Sequence, residues 1–562
     1  MMRRNLTLAA CLLALLLCPA AAPRAQRQHG VRPTDSGGPL TPEQAAYDVT
    51  AYDLDIAVAP REQSIKGTLT ARARIVHPTD WFVLDLDAPL TVTAVSAPGR
   101  AGAASPLRFE RRGGKIWIEF PLTKQPGEAV EVRVDYHGKP RVAPRPPWVG
   151  GFVWSKTPSG QDWVSTAVQM DGADVWWPCK DHPSDKADTF TLHITVPSDL
   201  VAASNGRLTG VVKNNDGTST YNWRLSSPIS NYNIALNIAP YRTIEGTYRS
   251  VTGESVPATF WVLPEHYEQG QKLFVELFEM LAFLEKHLGP YPFRADKIGV
   301  AETSHLGMEH QTIIAYGNEF RPSDIGFDWL LFHELGHEWW ANLVTASDWR
   351  DFWIHEGFQS YMDALYRGEK RGPAAYHQHI ASMRSQLGNR QPVAPREARS
   401  TTQMYFVAPD YVNSDGDIYS KGAAVLHTLR YVVGDKAFFQ ALRRMAYPTP
   451  ELERVKDGRQ VRFVTTDDFR RIAEEASGMK LDWFFEVYLR QPHLPRLVSE
   501  VKGDALTLRW EAPDNLPFPM PVTVKLGEET RRVEVSTTAP ATVPLGGRQF
   551  VVDPENWLLK KN

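Results

Sequence analysis

Cysteine is nearly absent. Only three occur in 562 residues, and Cys11 and Cys18 lie in an apolar N-terminal segment, which leaves Cys179 alone. An intrachain disulfide past that segment is excluded, so packed cores must hold the fold, and the lone thiol reads as a buried structural residue. Charge of one sign is also lacking, with a formal net charge of -3. A phosphate-backbone binder needs a concentrated basic face, so nucleic acid is not an expected partner. Past residue 25 no stretch has the length and apolarity of a transmembrane helix, and no internal repeat is found. The length itself exceeds what one hydrophobic core organises, so several domains are expected.

The one long apolar run stands at the N-terminus. Arg3 and Arg4 precede the apolar residues 6–17, and Ala20, Ala21, Ala22 and Ala25 offer small side chains for cleavage. That pattern assigns residues 1–25 to a secretory signal peptide, in a run short for a membrane span. A periplasmic or secreted protein is expected, with no stable membrane span after signal removal; a retained anchor is the alternative. Residues 26–44, rich in Gly, Pro, Gln and Arg, read as an extended leader.

Periodicity then divides the chain. Tyr52, Leu54, Ile56 and Val58 alternate with other residues, and Ile65, Leu69, Ala71, Ala73 and Ile75 share a second alternating register. Similar short stretches recur, so residues 45–245 are read as an antiparallel β domain. After Pro264 the period is helical: Leu273, Leu277, Leu281 and Leu284 recur, and Gly289-Pro290 stops them. Residues 298–301 read as a short edge strand and residues 325–343 as a long apolar helix. Further helical patterns fill a catalytic domain over 246–496, and alternation returns in a small β domain over 497–562. The fold class is α+β, multidomain.

His333-Glu334-Leu335-Gly336-His337 carries the chemistry. Four residues make slightly more than one helical turn, so both imidazoles project from one face toward one cation, with Glu334 beside them to take a proton from water. Apolar Trp329, Leu330, Leu331, Phe332, Leu335, Trp339 and Trp340 surround the motif, and Glu334 and Glu338 among them need a compensating partner. A third ligand should come from a separate element. Glu356 opens the next helical pattern, and a helix–turn–helix return would bring it beside the histidines. Two His, one Glu and an open position form a recognised catalytic zinc arrangement, here for one Zn2+. His355 is the nearest competitor, pointing away if Glu356 points inward. Asp351 is read either as an acceptor that orients a ligand imidazole or as a turn or cap residue.

These residues resemble the M1 family of zinc aminopeptidases. Eighteen residues separate His337 from Glu356, matching the family's HExxH-x18-E pattern, and Trp349, Asp351, Trp353 and Glu356-Gly357-Phe358 resemble its surroundings. The resemblance implies a thermolysin-like, mainly helical catalytic domain. It also implies roles for other residues. Gly307-Met308-Glu309-His310 is similar to the exopeptidase loop, in which Glu309 would hold the substrate's α-amino group while Gly307 and Met308 line its chain. Gln169, nine residues before Pro178, would help bind the same amine. Tyr419, opening Tyr419-Ser420-Lys421-Gly422, would stabilise the tetrahedral intermediate. Two departures stand out. His310 replaces the family's usual Asn, where an imidazole could carry charge near neutrality. The long helical C-terminal domain of many members is replaced by a small β segment, so a more open cleft accepting longer peptides is expected.

The expected function is a zinc aminopeptidase whose partners are peptides with a free N-terminus. The rivals are a zinc endopeptidase and an inactive peptide-binding scaffold. Trp148, Trp154, Trp163, Trp176 and Trp177 are read as core and interface packing in preference to carbohydrate stacking.

Overall fold

The computed structural model describes residues 31–561 apart from 33, 100–103, 410 and 412. The signal peptide assigned to residues 1–25 lies outside the described residues.

The alternating N-terminal sequence folds into β-sheet. Tyr47–Ala59 and Ser64–Ile75 form a long hairpin with Leu54 opposite Leu69, both fully buried on the inner face. They sit inside an eight-stranded sheet, beside a four-stranded and a three-stranded sheet. The expectation of purely antiparallel pairing is corrected at one place. Tyr47–Ala59 and Thr189–Pro197 run parallel, with Leu54 opposite Leu192. A parallel neighbour requires a long crossover connection, and the intervening strands provide it. Trp176, Trp177 and Cys179 are fully buried in this domain's core.

A five-stranded sheet begins the catalytic region. Its order is Arg242–Arg249, Ser255–Val262, Ile298–Glu302, Ile314–Tyr316 and Gly307–Met308. The boundary drawn at residue 245 therefore falls inside its first strand. Ile298–Glu302, expected at an edge, lies in the interior and parallel to both neighbours. All five of its residues are buried, so nothing in its pattern distinguishes two covered faces from one. The edges are Arg242–Arg249 and Gly307–Met308.

Helices pack on this sheet. Tyr267–Leu288 ends at Gly289, whose φ of 101° suits glycine. The long helix expected over 325–343 is shorter, Trp329–Gly336, started by Asp328, whose carboxylate accepts from the Leu331 amide at 2.9 Å. Beyond it the backbone bonds widen: Asn342, Leu343 and Val344 amides reach back five residues, to His337, Glu338 and Trp339. Apolar composition continues through this segment while helical geometry does not. Trp353–Arg371 follows and Asp417–Val433 crosses it. At the crossing Gly357 meets Gly422 so closely that a Cβ on either would lie 2.8 Å from the other's Cα.

The last β region forms two three-stranded sheets. Its Leu506, Leu508 and Trp510 share one continuous core with the catalytic helices, so it packs as an extension of them. Among its described residues the leader is not extended as expected, since it bends through residues 34–39 and enters the short helix Pro42–Ala45. It is docked: Ser36 is 2% exposed and accepts from Trp349 Nε1 at 3.1 Å. No helix among the described residues is long and apolar enough to cross a membrane.

Candidate active site

Local geometry assembles the ligand triangle. His333 and His337 lie four residues apart at the end of Trp329–Gly336, and their Nε2 atoms stand 3.3 Å from one another. Glu356, in the first turn of Trp353–Arg371, places Oε2 at 3.6 Å from His333 Nε2 and 3.4 Å from His337 Nε2. A tetrahedral ion with bonds of about 2.0–2.1 Å keeps its ligands about 3.3–3.4 Å apart, so the triangle fits Zn2+. Glu356 Oε2 is also buried without a hydrogen-bond partner, a costly state that a cation relieves. Among the described residues these three form the single cluster suited to a metal.

The outer nitrogens are fixed by hydrogen bonds, which turns both Nε2 atoms inward. His337 Nδ1 donates to the Trp340 carbonyl at 2.8 Å. His333 Nδ1 pairs with Asp363 Oδ2 at 2.8 Å, and Gln359 holds Asp363 Oδ1 at 3.0 Å. The orienting role read onto Asp351 is therefore corrected. Its Oδ1 accepts from Thr466 Oγ1 at 2.5 Å and anchors another helix. Asp363 was legible by spacing, because seven residues past Glu356 is two turns along the same face. His355 points away, its Nε2 accepting from the Ala346 amide at 3.0 Å.

Electrostatics follow from burial and proximity. Against the cost of burial, His337 and His333 pull the Glu356 carboxyl well below its usual range. Burial pushes the Glu334 carboxyl up to about 8, opposed by the same two histidines, which makes it a ready proton carrier near neutral pH. Glu338, grouped with it in the sequence, faces elsewhere. It accepts from the Thr312 amide at 2.8 Å and Tyr291 Oη at 3.2 Å, so hydrogen bonds and not a metal compensate it.

The substrate side is built from separate elements. Gly307 passes so near Glu334 that a Cβ would lie 2.5 Å from its Oε1. Met308 and Glu309 follow, both buried. Gln169 Nε2, from the β domain, donates to Glu309 Oε1, and Tyr232 Oη donates to the same oxygen at 2.9 Å. Tyr232, 3% exposed, carries no motif and was invisible in the sequence. Tyr419 stacks toward His333 with ring centroids 6.4 Å apart, and Tyr405 meets it edge-on at 6.4 Å. Burial first, then Glu356, raises the Tyr419 phenol well above its usual range, so it stays a donor. His310 is corrected: it is fully buried, does not line the cleft, and burial lowers it to about 3. No charge near neutrality arises there.

The ligand triangle, Glu334, Gln169, the Gly307-Met308-Glu309 segment and Tyr419 line a cleft of about 310 Å3, which Trp148 also borders. A buried two-histidine, one-carboxylate triangle with a free acid and a phenol beside it defines a metal-dependent hydrolytic centre. Comparison with known proteins gives the particular family. Residues 276–488 match the Peptidase family M1 domain and residues 49–233 the Peptidase M1 N-terminal domain, together well over half of the sequence. The chain belongs to peptidase family M1. Human glutamyl aminopeptidase is 24% identical over 531 residues, covering 87% of this chain and 50% of that protein. Aminopeptidase N of Streptomyces lividans is 27% identical over 348 residues, covering 58% and 38%. The crystal structure of an M1 zinc metallopeptidase from Deinococcus radiodurans superposes with a TM-score of 0.63 at 25% identity, covering 82% of this chain and 97% of that one. The chain spans about half the length of the curated relatives it matches.

Proposed function

We propose that this protein is an aminopeptidase dependent on a single zinc ion, hydrolysing the first peptide bond of peptides with a free N-terminus. The observation that carries the exopeptidase part is Glu309. The residue is 3% exposed, its carboxyl shares one oxygen between Gln169 and Tyr232, and it lies in the same cleft as the ligand triangle. A buried carboxyl there favours a substrate ammonium and leaves a blocked N-terminus without compensation. Solved M1 zinc metallopeptidases of 25% identity to this chain hold L-tryptophan and L-arginine, which supports a site for a free amino-terminal residue.

His333, His337 and Glu356 would hold the ion, which when bound supplies Lewis-acid polarisation of the carbonyl and a more acidic water. Glu334 accepts the proton of the attacking water and returns it to the departing amine. Tyr419 donates to the oxyanion as it forms. The edge strand Gly307–Met308 offers backbone groups to an extended substrate, while Glu309 and Gln169 fix its amine and Tyr232 holds Glu309 from behind.

Export is part of the same reading. It is supported by Arg3, Arg4 and the apolar residues 6–17, and by Cys179 as the one cysteine beyond them.

The test is mass spectrometry of products from one peptide in free and N-acetylated forms, incubated with zinc-loaded protein. Stepwise loss of single residues from the free peptide alone is expected. Internal cuts in both forms would replace the reading with a zinc endopeptidase.

A further inference from the structure

The cleft has a second polar end that the amine anchor does not use. Glu356, Asp363 and Arg367 lie on one face of Trp353–Arg371, at intervals of two turns and one turn. Glu356 ligates, and both Asp363 oxygens are taken, by His333 and Gln359. Arg367, a turn further, borders the cleft with no hydrogen bond or ion pair to its guanidinium among the described residues, and its Nε is buried and unpartnered. Burial holds it below the ordinary guanidinium range, and Asp363 and Asp324 compensate it only through space. His379, from Pro373–Arg384, borders the same end, and its Nε2 is likewise buried without a partner. Burial lowers this imidazole to about 4, so it is neutral and has one N–H to give.

Buried polar atoms of this kind are costly unless something pairs with them. Their place in the cleft says what does. Glu309 acts on His337 and Glu356, on one side of the triangle, whereas Asp363 and Arg367 extend beyond His333 on the other. Arg367 stands eleven residues past Glu356, about 16 Å along the helix axis, and its side chain leans back toward the helix start. An extended peptide advances about 3.3–3.6 Å per residue. For a peptide laid from the ligand triangle along this helix toward Arg367, the guanidinium falls opposite the second or third residue of the leaving fragment.

We propose that Arg367 and His379 form a carboxylate-binding subsite for the leaving fragment, so that peptides bearing a free carboxylate two or three residues past the scissile bond are preferred. The carboxylate comes from the C-terminus of a short peptide or from an acidic side chain; the planar fork of arginine suits either. This rests on the aminopeptidase reading.

The experiment measures kcat/KM with the zinc-loaded full chain. One pair is a tri- or tetrapeptide as free acid and as C-terminal amide. The other pair is an amidated peptide with Glu or Gln as its third or fourth residue. A single-residue arylamide, which lacks the distal carboxylate, monitors the basic chemistry. A charge-assisted contact predicts about a 10- to 100-fold preference for the carboxylate member of at least one pair. In R367A that ratio falls to about one, and R367K restores part of it. Equal rates within both pairs for the wild-type protein would overturn the proposal without needing any variant, as would R367A keeping the full preference. No arylamide turnover by the wild-type protein would instead sink the aminopeptidase reading and the subsite with it.

Discussion

Tyr419, the proposed oxyanion donor, and Glu356 stand on two helices that touch backbone to backbone, and Gly422→Ala tests that contact. The new Cβ would lie 2.8 Å from Gly357 Cα, with Gly357 N and Trp353 at 3.6 Å. Backbone cannot rotate aside as a side chain can, and carbon atoms rest about 3.5–4.0 Å apart, so the helices must part by about 1 Å. Overpacking of this kind costs about 1–3 kcal/mol. Replacing a mid-helix glycine by alanine returns about 0.8–1.0 kcal/mol of helix propensity. Net destabilisation is therefore about 0–2 kcal/mol, a small change in melting temperature. The effect on chemistry is larger, because Glu356 precedes one glycine and Tyr419 lies three residues before the other. A 1 Å misplacement costs about 100-fold in rate. The assay is kcat/KM on an aminoacyl arylamide beside bound zinc and thermal melting. The expected result is a loss of about 100-fold with zinc retained and the melt nearly unchanged. Wild-type kcat/KM, or a loss explained wholly by missing zinc, refutes the reasoning.

Glu334→Gln should keep zinc and lower kcat by at least about 100-fold, since the proton carrier is gone while the ligands stand; zinc loss in this variant would show a structural role instead. Asp363→Asn should weaken zinc affinity about 10- to 100-fold in chelator competition, because His333 loses its charged partner; unchanged affinity counts against that pairing. Tyr232→Phe should raise KM for free-amine peptides roughly 5- to 10-fold by removing one donor from Glu309, with kcat on the arylamide as the internal check. In the metal-free protein, against the cost of burial, Asp363 holds His333 well above its usual range and Glu356 holds His337 up to about 9. Both imidazoles are then protonated at pH 7, and zinc must displace those protons. Calorimetry in buffers of different ionisation enthalpy should show proton release, with affinity falling as pH drops; a buffer-independent heat would disprove it.

How much of this was legible depends on how local each feature is. The motif histidines needed one helix turn, and Glu356 needed only that the next helix return. Both follow from spacing, and so does the division into strand-rich and helix-rich regions, because alternation and the 3.6-residue period are written along the chain. Glu309, Gln169 and Tyr419 were legible through family resemblance alone, since each sits on a different element and no period connects them. Tertiary packing decided the rest. Asp363 shares the face of Glu356 by spacing, whereas Asp351 went to Thr466 through packing against another helix. His310 looked titratable until its surroundings excluded water. Tyr232 acquired its role from a single 3-10 turn, Asn231–Asn233, that sets its hydroxyl against Glu309. The sequence by itself determined which residues could bind a metal and move a proton. Which partners hold those residues in place was decided by packing between elements far apart in the chain, because burial and contact are properties of surroundings that no single segment contains.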